Sequence, residues 1–209
     1  MKILVVGATG PLGLEIVKEA QKTGHAVTAM VRSSLAQFPQ GVRTVQGDVL
    51  RPETLAEAVL DQEAVISSLG SKISFKPLTM LSEGTRNLVQ AMRSKNVNRL
   101  ICITGIGAGD SKGHGGFLYD RLIQPLLLNE VYKDKDRQEE VVKQSSLDWT
   151  IVRPAQLTNA PARGAGSYRV LSDLKGVTSG KIARADTAAF TVNLLNKPDF
   201  SRRTLLITY

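Results

Sequence analysis

Cysteine is almost absent: Cys102 is the only one in 209 residues. A single thiol cannot close an internal disulfide, which points to a reducing compartment. Nor can it complete a zinc set with the two histidines, His25 and His114, which lie far apart in the chain. Aromatic residues make up 5% of the chain, too few for a surface that stacks bases. No uninterrupted apolar run is long enough to span a bilayer. Met1-Lys2-Ile3-Leu4 imitates a secretory leader for four residues, until glycines interrupt it and no small-residue cleavage pattern follows. There is no Walker loop. A cytoplasmic protein without membrane attachment is expected.

Acidic residues are outnumbered, 19 against 27 basic ones, for a net charge of +8. The basic residues are nevertheless dispersed, and Arg202-Arg203 is their only adjacent pair. A solvated basic surface that attracts phosphates is favoured over nucleic-acid binding.

What is abundant is alternation. Apolar strands are expected at 2–6, 26–31, 42–45, 64–69, 100–104, 149–152 and 204–208. Helical spacing runs through 11–23, 52–59, 78–95, 117–145 (interrupted at Pro125) and 188–195. Strands that are apolar on both faces and alternate with helices predict an α/β fold. The expected form is a doubly wound parallel sheet of the Rossmann type in three α/β/α layers. No linker or repeat divides the chain, so residues 1–209 read as one domain. The glycine-rich segments 105–130 and 155–181 form its substrate side.

After the first strand comes Gly7-Ala8-Thr9-Gly10-Pro11-Leu12-Gly13. A strand, a tight turn and a helix start bring backbone N–H groups and the positive helix end to one point, which favours a pyrophosphate. Glycine lets the backbone approach the phosphates, and Pro11 suits the first helical turn. A dinucleotide is therefore expected, held by Gly7, Thr9, Gly10, Pro11, Leu12 and Gly13. The second strand ends Met30-Val31-Arg32-Ser33-Ser34 with no acid to hold a ribose diol. Arg32 and Ser33 there favour a 2′-phosphate, hence NADP (NADPH). Asp48 and Val49 are expected beside the adenine. Ser68, Leu69 and Gly70, after Ser67, end the fourth strand on the same edge.

These residues resemble the atypical short-chain dehydrogenase/reductase family, the NmrA-like NAD(P)-binding group that includes flavin reductase and biliverdin-IXβ reductase. The resemblance is carried by G-x-x-G-x-x-G and by Val31-Arg32, Gly47-Asp48-Val49, Glu83-Gly84-Thr85-Arg86-Asn87, the run Ser146–Pro154 and Ala185-Asp186. It implies a Rossmann fold and NADP, with Lys135 as the family lysine at the nicotinamide ribose. It also implies a hydroxyl at the end of the fifth strand, here Thr104, and Pro154 in the pocket floor. The family pattern Tyr-x-x-x-Lys is broken, because Val131 stands where tyrosine is expected. Tyr132 is adjacent but turned along the helix, and Tyr119 has no lysine four residues on. The flavin reductase serine position falls on Gly105, leaving Thr104 or Ser111 as the available hydroxyl. The expected activity is hydride transfer from NADPH to a small planar conjugated acceptor: a flavin, biliverdin or a quinone. Lys112, Arg163 and Arg169 are candidate attractors for its anionic groups. A non-catalytic NADP(H)-sensing, partner-binding protein is the alternative. A monomer or small homo-oligomer is expected.

Overall fold

Runs such as Ile3-Leu4-Val5-Val6 are apolar on both strand faces and need cover from both sides. The computed structural model, which describes residues 1–33, 36–117 and 119–209, supplies that cover. Strands β1 (Lys2–Val6), β2 (Ala26–Val31), β3 (Arg43–Gln46), β4 (Ala64–Ser67), β5 (Arg99–Ile103) and β6 (Asp148–Pro154) alternate with helices. These are α1 (Pro11–Lys22), α2 (Leu55–Val59), α3 (Met80–Ser94) and α4 (Asn129–Lys143). Three short strands follow, β7 (Gln156–Thr158), β8 (Arg169–Leu171) and β9 (Lys181–Ala183), then α5 (Arg184–Asn193) and β10 (Arg203–Thr208).

The main sheet has the order β3-β2-β1-β4-β5-β6-β10-β8. Its neighbours are parallel except β8, which runs antiparallel to β10. This is the doubly wound Rossmann arrangement. Helices α1 and α5 pack together on one face, while α2, α3 and α4 cover the other. Two apolar clusters fill the layers, one containing Ile3, Val5, Ile16 and Val17, the other Leu4, Val6, Leu88 and Met92. Alternate residues of β1 thus serve opposite cores. The chain leaves β1 toward β2 and β3, then returns through β4 to build the other half. The crevice opens beyond the carboxyl ends of β1 and β4, where the winding direction reverses.

Two sequence expectations change. The stretch 117–145 is not one helix broken at Pro125. Tyr119–Leu128 is a π-helical segment and regular α-helix begins at Asn129. Pro125 has no N–H for an i→i−4 bond, and it falls inside the wider turns rather than at a break. Segment 155–181, in which no strand was expected, contains β7 and β8 and runs into β9. Three-residue strands are too short to show a period of two among the surrounding glycines and serines. Segments 105–130 and 155–181 follow β5 and β6 at the carboxyl edge of the sheet.

Candidate active site

The G-x-x-G-x-x-G turn is shaped by close approach. Gly7 has φ +75°, and a Cβ there would lie 2.3 Å from the Ser68 carbonyl oxygen. A Cβ on Gly13 would lie 2.1 Å from the Gly7 oxygen, so this glycine closes the helix onto the turn. Gly10 is the N-cap of α1, and a Cβ there would meet the Gly7 oxygen at 3.3 Å and, beyond its chain neighbours, nothing else within 4 Å among the described residues. No side chain caps α1 and no acid stands in its first turn, whereas α2, α3, α4 and α5 each carry one there. The first N–H groups of α1 are left for an anion.

A cleft of about 650 Å³ runs from this turn along the sheet edge. It gathers Gly7, Thr9, Gly10, Pro11 and Leu12 from the turn, Arg32 from the end of β2, and Asp48 and Val49 after β3. Ser68, Leu69 and Gly70 follow β4, Thr104 follows β5, Lys135 comes from α4 and Pro154 from β6. Arg32 is exposed, and no carboxylate among the described residues forms an ion pair with it. The motif around Val49 has a mechanical basis. Asn87 Nδ2 donates to the Val49 carbonyl at 2.8 Å, and a Cβ on Gly84 would meet Val49 Cγ2 at 2.6 Å. Thus Gly84 and Asn87 on α3 seat the Asp48-Val49 turn.

The other end of the cleft is built on a buried charge network that the sequence did not signal. Arg153 and Glu139, both about 1% exposed, form a bidentate pair at 2.8 and 2.6 Å. Asp110 binds a further guanidinium nitrogen of Arg153, and Lys143 reaches Glu139 at 3.2 Å. Burial opposes ionisation of Glu139, but the hydrogen bonds and charge of Arg153, aided by Thr104, hold it below the usual carboxylate range. Thr104 Oγ1 donates to Glu139 Oε1 at 2.8 Å. Lys135 Nζ donates to the Thr104 carbonyl at 2.6 Å and lies 5.0 Å from the Tyr132 ring centroid. Burial pulls the Lys135 ammonium down to about 8, against the charge of Glu139. Tyr132 and Lys135, three apart on α4, share a face beside Gly105. Cys102 is buried below, its thiol pushed up by burial to about 12.

A model of the family described as NAD(P)H-binding matches residues 7–198. The chain belongs to this NAD(P)H-binding family. An uncharacterized protein of Bacillus subtilis, YwnB, is 29% identical over 95% of this chain and 94% of its own. An NAD(P)H azoreductase of Xenophilus azovorans is 25% identical over 99% of this chain and 67% of its own. Among solved structures, the anaerobillin reductase ChuY of Escherichia coli O157:H7 superposes with a TM-score of 0.83 at 23% identity, covering 100% of this chain and 97% of ChuY. A short-chain dehydrogenase/reductase of Veillonella parvula in complex with NADP gives 0.82 at 18% identity, covering 100% and 94%.

The cleft fits an NAD(P)H molecule. The Gly7–Gly10 cradle is space that a side chain would fill. The Ser71 hydroxyl, on the cleft wall, is buried without a hydrogen-bond partner among the described residues. An NAD(P)H oxygen would satisfy it.

Three sequence candidates stand off the cleft. Gly13 packs beneath the turn. Ser33 is exposed beyond Arg32. Ser111 is fully buried, its hydroxyl donating to the Ala108 carbonyl and accepting from the Gly107 N–H, so it braces the loop after β5. The basic candidates are also elsewhere. Lys112 pairs with Asp136, Arg163 stacks on the Tyr209 ring, and Arg169 is exposed on β8. Ser34, Leu118 and the side chain of Tyr119 lie outside the described residues. Sequence reasoning missed Ser71, Lys72, Leu157 and Arg184 on the cleft wall. Arg184 directly precedes the Ala185-Asp186 motif, which was a usable signal.

Proposed function

We propose that this protein is an NADPH-dependent reductase of planar conjugated acceptors, of the flavin, bilin or quinone class. One observation carries the reading: at the cleft end formed by β5 and β6, Val131 stands where the family places its proton-donating tyrosine, and Thr104 and Lys135 are tied to Glu139 and to the Thr104 carbonyl. The Thr104 hydroxyl spends its hydrogen on Glu139, and Gly105 has no side chain. An acceptor whose conjugated system absorbs the incoming charge can draw its proton from water. Orientation then supplies most of the rate.

When bound, the reduced nicotinamide supplies the hydride. The chain's part is to hold and align. The Gly7–Gly10 backbone and the free N–H groups of α1 take the pyrophosphate. Arg32 pairs with a 2′-phosphate, which favours NADPH over NADH. Lys135, fixed by the Thr104 carbonyl, reaches ribose hydroxyls. Pro154 forms the floor, and Glu139 and Arg153 keep Thr104 and the end of β6 in place. Relatives named for azo and bilin acceptors are consistent with this substrate class.

The test is steady-state oxidation of NADPH with FMN, menadione and biliverdin offered separately, and with NADH as the parallel donor. NADPH-selective turnover with one acceptor is expected. Tight NADPH binding with no turnover would replace this reading with a non-catalytic NADP(H) sensor. Arg32→Ala is expected to weaken NADPH binding about tenfold or more and leave NADH binding within twofold. Equal losses would remove the phosphate-clamp assignment.

A further inference from the structure

Strands β7 and β9 form a separate two-stranded parallel ribbon in which Leu157 pairs with Ile182 and Thr158 with Ala183. Parallel strands end at the same side, so the next residues, Asn159 and Arg184, leave the ribbon together. Arg184 Nη1 donates to Asn159 Oδ1 at 2.6 Å. Arg184 and Leu157 both line the cleft. The ribbon therefore delivers a guanidinium to the cleft wall and seats it with an amide.

That guanidinium lacks a counter-charge. Arg99, Arg137 and Arg153 each meet a carboxylate within 4 Å, whereas Arg184 meets none among the described residues. Asp186, two positions on, is fully engaged. It accepts from the backbone N–H groups of Arg163 and Gly164 at 2.8 and 2.9 Å and from the Tyr209 hydroxyl at 2.5 Å. Asn159 uses one of the five donors that an arginine carries. The cleft shows the same imbalance: among the described residues, Arg32, Lys72, Lys135 and Arg184 line it against a single acid, Asp48. One oxygen of that acid already accepts from the Leu50 N–H.

We propose that Arg184, seated by Asn159, is an anion-binding residue of the cleft that takes a phosphate or carboxylate group of a bound molecule. The planar fork of arginine matches both groups. The anion belongs either to NADPH or, if the reductase reading holds, to the acceptor.

Direct binding separates the two sources and needs no turnover. NADPH affinity is measured by fluorescence on the full chain and on Arg184→Gln, Arg184→Lys and Asn159→Leu. FMN and riboflavin, which share a ring system and differ by one phosphate, are then titrated onto protein saturated with NADP. A cofactor anion predicts about tenfold weaker NADPH binding in Arg184→Gln, with both flavins unchanged. An acceptor anion predicts unchanged NADPH and a similar loss for FMN alone. In either case Arg184→Lys restores part of the loss, and Asn159→Leu gives a smaller loss of the same kind. The proposal is overturned if Arg184→Gln keeps NADPH affinity within twofold and FMN shows no selective loss, including because neither flavin binds. Absent turnover in the wild type counts against the reductase reading alone.

Discussion

At the scale of single residues, two groups in the cleft make opposite demands on their surroundings. The glycines need space. Gly13→Ala places a methyl group against the Gly7 carbonyl and is expected to cost about 1–3 kcal/mol of stability while also weakening NADPH. Gly10→Val faces the open cradle and is expected to abolish NADPH binding while lowering the melting temperature by only a few degrees. Calorimetric titration and thermal melts of both variants separate packing from binding. Lys135 makes an electrostatic demand. It is charged below about 8 and neutral above. If its charge aligns the nicotinamide ribose, NADPH affinity falls as pH rises through 8, and Lys135→Met shows no such inflection. Stability moves the other way. The folded state releases this proton near 8 and the unfolded chain near 10.5, so the unfolded state binds more protons between them. Stability therefore gains from this group as pH rises through that window. Urea titrations at several pH values check the slope, which Lys135→Met should lack.

At the scale of elements, α3 and α4 hold each other in place through a buried acid. No side chain caps the start of α3 from its own Thr79. Asp134 of α4, fully buried, accepts instead from the Leu81 N–H at 2.7 Å and the Ser82 hydroxyl at 2.6 Å. A cap borrowed from a neighbouring helix fixes the packing of the pair as well as the helix end. Asp134→Ala is expected to cost about 2–3 kcal/mol, since it strands buried donors, with NADPH affinity nearly unchanged. A lower urea midpoint at constant slope is the expected signature. In sequence Asp134 sits within Lys133-Asp134-Lys135-Asp136-Arg137 and reads as part of a solvated helix face. Alternating charge hides which members turn inward.

At the scale of the molecule, the cleft joins segments from both halves of the sheet, so a ligand there should stabilise the whole fold. NADPH at a hundredfold excess over its dissociation constant adds about 2.7 kcal/mol. For a chain of this size that corresponds to a rise of about 5–10 °C in melting temperature. NADH at the same concentration is expected to give a smaller rise, and Arg32→Ala to erase the difference. Thermal melts with each nucleotide check this.

The alternation of strands and helices up to β6 and the glycine turn were legible in the chain because they rest on local chemistry. Apolar runs, helical spacing and G-x-x-G-x-x-G involve neighbours in sequence, and they led to the Rossmann sheet and the cleft mouth. Arg32 and Asp48 were legible for the same reason, as each ends a strand on one edge. The other end of the cleft was not. Glu139 and Arg153 became a buried pair only when α4 packed beside β6, and a surface glutamate and a paired one look alike in sequence. Ser111 read as an available hydroxyl until its loop folded over it. Arg184 was one basic residue among 27 until the register of β7 with β9 set it beside Asn159 on the cleft wall. Interactions between residues distant in the chain are set by packing, and packing alone placed these charges.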